Sequence, residues 1–252
     1  MARIAIITGA TGGIGSEFVK ALQADSAIDE IWAAGRNKDK LAALAAECPK
    51  LVPLEADFTD GGIEVIRRKI EAAGPDIQLL VNNAGAASLG PFEHVSVTDA
   101  EMICRVNCEA PAALIAVSLP AMREGARIIN ISSASSFQPN PYLSMYAASK
   151  LFLKNLSRAL SVELKDRGIT VTCVCPGWVD TGMLPREKDG KPIKYTGMVS
   201  AQKVVSQALM DSRQGKDLSL PGFFAKFFRI YSKIMPERTV MRQWTNIIRK
   251  YV

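Results

Sequence analysis

The sequence predicts an α/β fold: one parallel sheet of about seven strands, doubly wound so that helices cover both of its faces. Three observations predict it. Short apolar runs alternate along the chain with segments whose apolar residues recur at helical spacing, the βαβα rhythm of a parallel sheet. The runs are continuous and rich in β-branched residues, as strands buried on both faces require. A glycine-rich turn stands directly between the first run and the first periodic segment, where a strand must pass tightly into a helix.

The elements follow in order. Residues 4–7 form the first apolar run, with a helix expected over 14–24. Run 31–34 precedes a helix over 38–47, and run 51–55 precedes one over 62–73. After run 77–81 comes a long helical stretch across 98–122. Run 127–131 leads through a loop into a helix reaching about residue 166, and run 169–174 follows. The last strand is expected at 217–220. Beyond Pro221-Gly222, Phe224, Phe227, Phe228, Tyr231 and Ile234 recur at helical spacing. Pro236 interrupts, and Val240, Trp244, Ile247, Ile248 and Tyr251 resume the pattern. There is no internal linker and no repeat of about 20–50 residues. The chain therefore reads as one domain over 1–222 with a basic, amphipathic helical extension of the same domain over 223–252.

Composition narrows the class. Of 252 residues, 48% are hydrophobic and 22% charged, which suits a soluble protein with a covered sheet. No apolar run reaches the roughly 18 residues of a membrane span. The N-terminus enters a strand pattern at once, unlike a signal peptide. Five cysteines (Cys48, Cys104, Cys108, Cys173, Cys175) give no disulfide framework, and a reducing, cytoplasmic setting is expected. Cys104 and Cys108 share a helix face, but the only histidine is His94. No metal site is expected, and the thiols read as buried small hydrophobes. The net charge of +6 lies in the tail, where Lys226, Arg229, Lys233, Arg238, Arg242, Arg249 and Lys250 face one acid, Glu237. Three readings of that tail stand open: helices packed over their own pocket or a neighbouring subunit, a membrane-surface helix, or nucleic-acid binding. Packing comes first and peripheral lipid contact second; no nucleic-acid partner is expected.

The chemistry gathers in residues 130–150, N-I-S-S-A-S-S-F-Q-P-N-P-Y-L-S-M-Y-A-A-S-K. Tyr146 and Lys150 are four apart, so on a helix they share one face. An ammonium beside a phenol favours the phenolate and lowers a pKa normally about 10. Lowered by a few units, Tyr146 could give a proton to a carbonyl oxygen or take one from an alcohol. Ser133 ends the run 127–131 and can hydrogen-bond the reacting oxygen. The Tyr/Lys pair alone also describes an ordinary solvated helix face; it is the combination with Ser133 that carries weight. The first turn, Thr8-Gly9-Ala10-Thr11-Gly12-Gly13-Ile14-Gly15, follows a strand and opens a helix. That context lets backbone N–H groups and a helix N-terminus approach a pyrophosphate.

Three further segments join these: Asn82-Asn83-Ala84-Gly85, Arg105-Val106-Asn107, and Cys175-Pro176-Gly177-Trp178-Val179-Asp180-Thr181. Together they resemble the short-chain dehydrogenase/reductase family in its single-domain branch. The glycine turn fits T-G-x-x-x-G-x-G of that branch and also T-G-x-x-G-x-x-G of longer, epimerase-like relatives; the other segments and the length favour the first. The resemblance covers about residues 3–213 and implies a Rossmann-type fold. It places Gly9, Thr11, Gly13, Ile14, Gly15, Asp57, Phe58, Asn83, Gly85, Pro176, Gly177, Val179 and Thr181 against a nicotinamide cofactor. It makes Tyr146 the acid/base and has Lys150 lower its pKa and hold the nicotinamide ribose. Ser133 positions the carbonyl oxygen, and Asn107 helps hold a water relaying protons from Lys150. Asp57 could equally cap a helix, and Asn107 could mend a helix kink before Pro111.

Cofactor choice turns on Ala34-Gly35-Arg36. An acid at the end of the second strand would hydrogen-bond the ribose of NAD, whereas arginine pairs with a 2′-phosphate. A neutral Gly35 followed by Arg36 predicts NADP(H). Substrate choice should lie in loops 86–93, 134–143 and 178–199. Phe92, Phe137, Tyr142, Trp178, Met183 and Leu184 make these apolar, unless they simply pack the loops, and residues 186–191 read as the mobile tip of a lid. The expectation is an NADP(H)-dependent oxidoreductase interconverting a ketone and a secondary alcohol on a steroid, bile acid or fatty-acyl substrate. A contrasting class is a non-catalytic nucleotide-sensing or scaffold protein on the same fold. Family habit implies a homodimer or homotetramer, with the Tyr/Lys helix as one contact.

Overall fold

The computed structural model describes residues 1–182, 184, 187–188 and 190–249. Met183, Arg186, Asp189, Lys250 and Tyr251, named above for a pocket, a lid tip and the tail, lie outside the described residues. The apolar runs become strands β1 (Arg3–Thr8), β2 (Glu30–Gly35), β3 (Leu51–Glu55), β4 (Asp76–Asn82), β5 (Arg127–Ile131), β6 (Thr170–Val174) and β7 (Leu218–Ser219). They form one seven-stranded parallel sheet in the order β7-β6-β5-β4-β1-β2-β3.

Successive side chains of a strand point to opposite faces, so each run feeds two cores. Ala5 and Ile7 of β1 join Phe18, Val19 and Leu22 of α1 (Gly13–Gln23) and Leu41 of α2 (Lys38–Glu47). Ile4 and Ile6 instead join Ile66 and Ile70 of α3 (Gly62–Ala73). Two further helices follow, α4 (Val97–Cys104) and α5 (Ala110–Ser118), with α5 covering that second face together with α6 (Ser144–Glu163). The first face is completed by α7 (Ala201–Arg213), a helix not anticipated above. Its start was legible: Ser200 caps it by accepting from the Lys203 N–H, ahead of Val204, Val205, Ala208 and Leu209 at helical spacing.

The expected helix over 98–122 is interrupted. Between α4 and α5, residues Arg105–Glu109 form a wider, π-helical turn in which the Ala110 N–H reaches back to Arg105. The whole run Val97–Ala121 has a mean hydropathy of 1.4, long and apolar enough by composition to cross a membrane. Counting only unbroken apolar residues missed this. Here Ala110, Leu114 and Ile115 spend that apolarity on the core. The thiols also need correcting: Cys48, Cys173 and Cys175 are buried, but Cys104 is exposed and Cys108 half-buried. Their helix face looks partly outward, so they are not both core residues.

The chain runs β1, β2, β3 to one edge and then crosses to place β4 on the other side of β1. At that reversal a crevice opens outside the carboxyl ends of β1 and β4. Two last helices, α8 (Phe223–Ile234) and α9 (Glu237–Ile248), return over it.

Candidate active site

The glycine turn works by what it lacks. A Cβ on Gly15 would stand 2.1 Å from the Gly9 carbonyl oxygen, and one on Gly13 would stand 2.7 Å from Cγ2 of Thr181. Gly12 caps α1 with no side-chain hydrogen bond, and no acid occupies the first helical turn. The positive end of that helix is left for an anion. The turn is tied to β4: the Thr8 hydroxyl accepts from the N–H groups of Asn83 (2.9 Å) and Ala84 (3.0 Å). The Asn83 amide donates to the carbonyls of Thr8 (3.0 Å) and Gly9 (3.1 Å).

At the far end, Asn37 caps α2 by accepting from the Lys40 N–H at 2.8 Å. Arg36 and Lys40 then both reach the crevice wall. Asp57 lies on the same wall, its Oδ1 accepting from the Thr59 N–H (2.8 Å) and hydroxyl (2.7 Å). Those bonds, with a smaller contribution from the Arg36 charge, hold its carboxyl below the usual range. Asp57 is not the cap of α3, a place Gly61 takes.

Ser133 follows β5, and Tyr146 lies in the first turn of α6. Lys150, one turn on, is buried with its Nζ donating to the Ile131 carbonyl at 2.9 Å and 5.6 Å from the centre of the Tyr146 ring. Burial pushes the ammonium down to about 8. Tyr146 keeps part of its surface on the crevice, yet crowding around it disfavours the phenolate. The phenol sits above its ordinary value, with the Ser133 hydroxyl partly offsetting this. The expected lowering of Tyr146 by Lys150 is thus not what the geometry produces. Desolvation outweighs an ammonium that is itself destabilised and bound to Ile131.

Asn107 sits in the wide turn and does not bond back to its own helix. Its Oδ1 accepts from the Ala86 N–H (2.8 Å), and its Nδ2 donates to the Ala86 carbonyl (2.8 Å) and the Ser149 hydroxyl (2.9 Å). It staples the segment after β4 to α6 rather than mending a kink.

These groups line one cavity of about 1220 Å³. Its wall includes Gly9, Thr11, Gly13, Ile14, Arg36, Asp57, Phe58, Asn83, Gly85, Ser133, Tyr146, Lys150, Pro176, Gly177, Val179 and Thr181. Gly15 and Asn107 stand behind the wall, as packing and as a staple. Lys40 was missed, although it falls one helical turn after Arg36. Of the expected substrate-loop aromatics, Trp178 lines the cavity, as does Leu184. Phe92 is exposed, Phe137 lies under the Lys154 ammonium at 5.1 Å, and the Tyr142 hydroxyl accepts from Arg249 at 3.2 Å. Those three do not line it. The roof comes from the tail: Phe224, Phe228, Trp244 and Ile248 face inward. Trp244 stacks on Trp178 at 6.0 Å and donates its indole N–H to the Pro141 carbonyl at 2.9 Å. The bare helix N-terminus, the missing Cβ atoms beside it and the Arg36/Lys40 pair fit a phosphorylated dinucleotide. Among the described residues no cluster of three His, Cys, Asp or Glu could hold a metal.

Comparison with known proteins agrees with this geometry. Residues 3–192 match the family model described as short chain dehydrogenase. Nodulation protein G of Rhizobium sp. (strain N33) is 36% identical over 192 residues, covering 74% of this chain and 77% of that one. The very-long-chain 3-oxoacyl-CoA reductase of Anas platyrhynchos is 35% identical over 192 residues, 71% of this chain but 60% of that protein. A human relative, the inactive hydroxysteroid dehydrogenase-like protein 1, is 32% identical over 190 residues, 72% of this chain and 57% of its own length. Among solved structures, a short-chain dehydrogenase from Sphingobium yanoikuyae in complex with NADPH superposes with a TM-score of 0.78. It is 25% identical, and the match covers 92% of this chain and 93% of that one.

Proposed function

The chain belongs to the short-chain dehydrogenase family, and from that premise we propose an NADP(H)-dependent oxidoreductase that interconverts a ketone and a secondary alcohol on a hydrophobic substrate. The observation that carries this is the convergence of Ser133, Tyr146 and Lys150 on the same cavity wall as the glycine turn. Arg36 and Lys40 would hold a 2′-phosphate, Gly9 to Gly13 and the N-terminus of α1 the pyrophosphate, and Pro176 to Thr181 the nicotinamide end. Bound NADPH supplies the hydride for the carbonyl carbon. The rest is done by side chains. Ser133 orients the carbonyl oxygen by donating to it, and the Tyr146 phenol, kept protonated at neutral pH by its surroundings, gives that oxygen its proton. Lys150, titrating near 8, can replace the lost proton. Both Nδ2 donors of Asn107 are committed, to Ala86 and Ser149, so a relay water it holds would have to donate to one of its acceptors, the second lone pair of Oδ1 or the main-chain carbonyl.

The aromatic roof supports an apolar substrate, and the 3-oxoacyl-CoA reductase relative makes acyl thioesters worth testing beside steroid and bile-acid ketones. The test is NADPH oxidation across such a panel, repeated with Tyr146→Phe. Turnover should vanish in the variant while NADPH binding stays intact; undiminished turnover would refute the assigned chemistry. The inactive human relative sharpens the contrast. A wild-type protein that binds NADPH tightly yet reduces nothing in the panel would be a nucleotide-sensing protein.

The outward face of α8 supports a lipid contact. Phe223, Phe227, Ile230 and Ile234 form an exposed stripe with Lys226 and Lys233 beside it. Apolar groups flanked by cations suit an anionic bilayer, from which an apolar ketone could enter. Co-sedimentation with phosphatidylserine vesicles, weakened by salt, is expected; a protein that stays in the supernatant at low salt does not dock. Exposed Leu151 and Phe152 on α6 support a homo-oligomeric contact, to be read by light scattering.

A further inference from the structure

The phenol assigned as proton donor stands on a helix that does not fix its own start. Tyr146 lies in the first turn of α6, and the cap position of that helix is Leu143, whose side chain makes no capping hydrogen bond. A leucine has no acceptor for the free N–H groups that open a helix, and no acid occupies the first turn to steady them. The residue before the cap is Tyr142. Among the described residues it alone of the non-glycines adopts a positive φ, at +66°. Strain of this kind persists only where the surroundings over-determine it. Whatever holds Tyr142 therefore also sets where α6 begins and where Tyr146 sits.

Three contacts hold it, and two come from the tail. The Trp244 indole N–H donates to the Pro141 carbonyl at 2.9 Å. Arg249 donates from Nε to the Tyr142 hydroxyl at 3.2 Å, with its guanidinium 5.9 Å from the ring centre. The third is the Gly90 N–H on the Tyr142 carbonyl at 2.8 Å, from the segment that Asn107 staples at Ala86. The other end of the same loop needs no help from the tail. There the Ala134 N–H donates to the Pro176 carbonyl at 2.8 Å, and the Ser135 N–H to the Ser133 hydroxyl at 3.1 Å. Ser133 is thus fixed by the body of the domain, whereas the start of α6 leans on residues from the far end of the chain. The tail grips the opposite flank as well: a Cβ on Gly177 would stand 3.0 Å from the Phe224 ring, and one on Gly197 would stand 3.0 Å from the Phe224 Cβ.

We infer that Trp244 and Arg249 are positioning residues for the reaction: through Pro141 and Tyr142 they set the start of α6, and so hold the Tyr146 phenol beside Ser133 and the reacting oxygen. This rests on the redox reading of the cavity and deepens it. The tail is then more than a cover. Trp244 lines the cavity and stacks on Trp178, while its N–H edge braces the turn, so roofing the substrate and aiming the acid fall to one side chain. Proton transfer needs its heavy atoms within hydrogen-bond reach, and a misplacement of about 1 Å can cost about a hundredfold in rate.

Two mild variants of the full-length protein test it. Trp244→Phe keeps a ring over Trp178 and loses the N–H, and Arg249→Met, at an exposed position, loses the donor to Tyr142. With NADPH and the best ketone of the panel above, kcat should fall about fivefold to a hundredfold in Trp244→Phe. KM and the NADPH dissociation constant should stay within about twofold, the pattern of an interaction that matters only in the transition state. Arg249→Met should lower kcat in the same way, and Arg249→Lys, which can still donate to the Tyr142 hydroxyl, should recover most of it. Hydrogen–deuterium exchange, with neither substrate nor cofactor present, reads the brace directly. Peptides over residues 139–147 should exchange faster in Trp244→Phe and Arg249→Met, and those of the sheet should not. The inference is overturned if kcat is unchanged in either variant, with only KM rising, for then the tail is a roof and nothing more. It also falls if Arg249→Lys is no better than Arg249→Met, or if exchange over 139–147 does not change. Should the wild-type protein reduce nothing, the redox reading fails by itself and the exchange alone decides: faster local exchange upholds the brace, and unchanged exchange refutes it.

Discussion

Replacing Lys150 with methionine tests how much the site's central cation costs the fold. Lys150 is 3% exposed, and burial takes its pKa from 10.5 to about 8. The folded chain therefore binds this proton less readily than the unfolded chain. Between about pH 8 and pH 10.5 the unfolded state holds more protons, so stability rises with pH through that window; below it the penalty is full and constant. A shift from 10.5 to about 8 corresponds to a penalty of about 3 kcal/mol. Of this, about 2 kcal/mol is relieved between pH 8 and pH 10. Methionine has similar length and no charge, so Lys150→Met lacks that pH dependence. The Tyr146 phenol, raised by burial, works with the opposite sign: its contribution is full below its ordinary value of about 10 and is lost as pH rises from there through its folded pKa, at the top of this window. It is present in both proteins and cancels in the difference. Urea unfolding followed by tryptophan fluorescence at pH 8 and pH 10 measures the effect. The variant should be the more stable at pH 8, and the gap should close by about 2 kcal/mol at pH 10. A gap that stays constant within about 0.5 kcal/mol would show that the ammonium is not penalised, and the reading of Lys150 as a strained proton source would fail.

Arg36→Ala should weaken NADPH binding by about 1.5–3 kcal/mol, the range of a charged hydrogen bond, and leave NADH binding nearly unchanged; fluorescence titration with both cofactors reads the difference. Gly15→Ala places a methyl 2.1 Å from the Gly9 carbonyl oxygen, so α1 must move. A loss of about 1–3 kcal/mol by thermal melting, together with lost NADPH affinity, is expected. Trp244→Ala removes the stacking on Trp178 and the bond to Pro141. It should raise KM for apolar ketones several-fold while leaving the NADPH dissociation constant unchanged, as steady-state kinetics and titration will show.

Strands and helices were legible wherever one residue's neighbours along the chain decide its fate. The Ile/Val runs could only be two-sided strands, and the turn after β1 had the glycines that its geometry needs. The Ser133/Tyr146/Lys150 set was legible as a spacing, but its electrostatics were not. Whether an ammonium lowers a phenol depends on how much water both have lost, and that is set by the enclosing walls. Asn107 illustrates the same limit. Its residue type suggested a polar repair within its helix, whereas its partners Ala86 and Ser149 come from elsewhere in the chain. Lys40 and the cap of α7 were readable and overlooked.

The wide turn at Arg105–Glu109 has a consequence for changes of length. A π-helical turn is an α-helix carrying a surplus residue. The wider turn absorbs that residue, so α4 and α5 keep nearly the facing they would have as one regular helix. Deleting Cys108 would therefore leave one regular helix with its flanks in place, but without the bulge that carries Asn107 out to Ala86 and Ser149. The cavity segment it staples would be released. An in-frame codon loss here would yield a more orderly helix and a disassembled site, so in this stretch the protein should bear altered letters far better than a missing one.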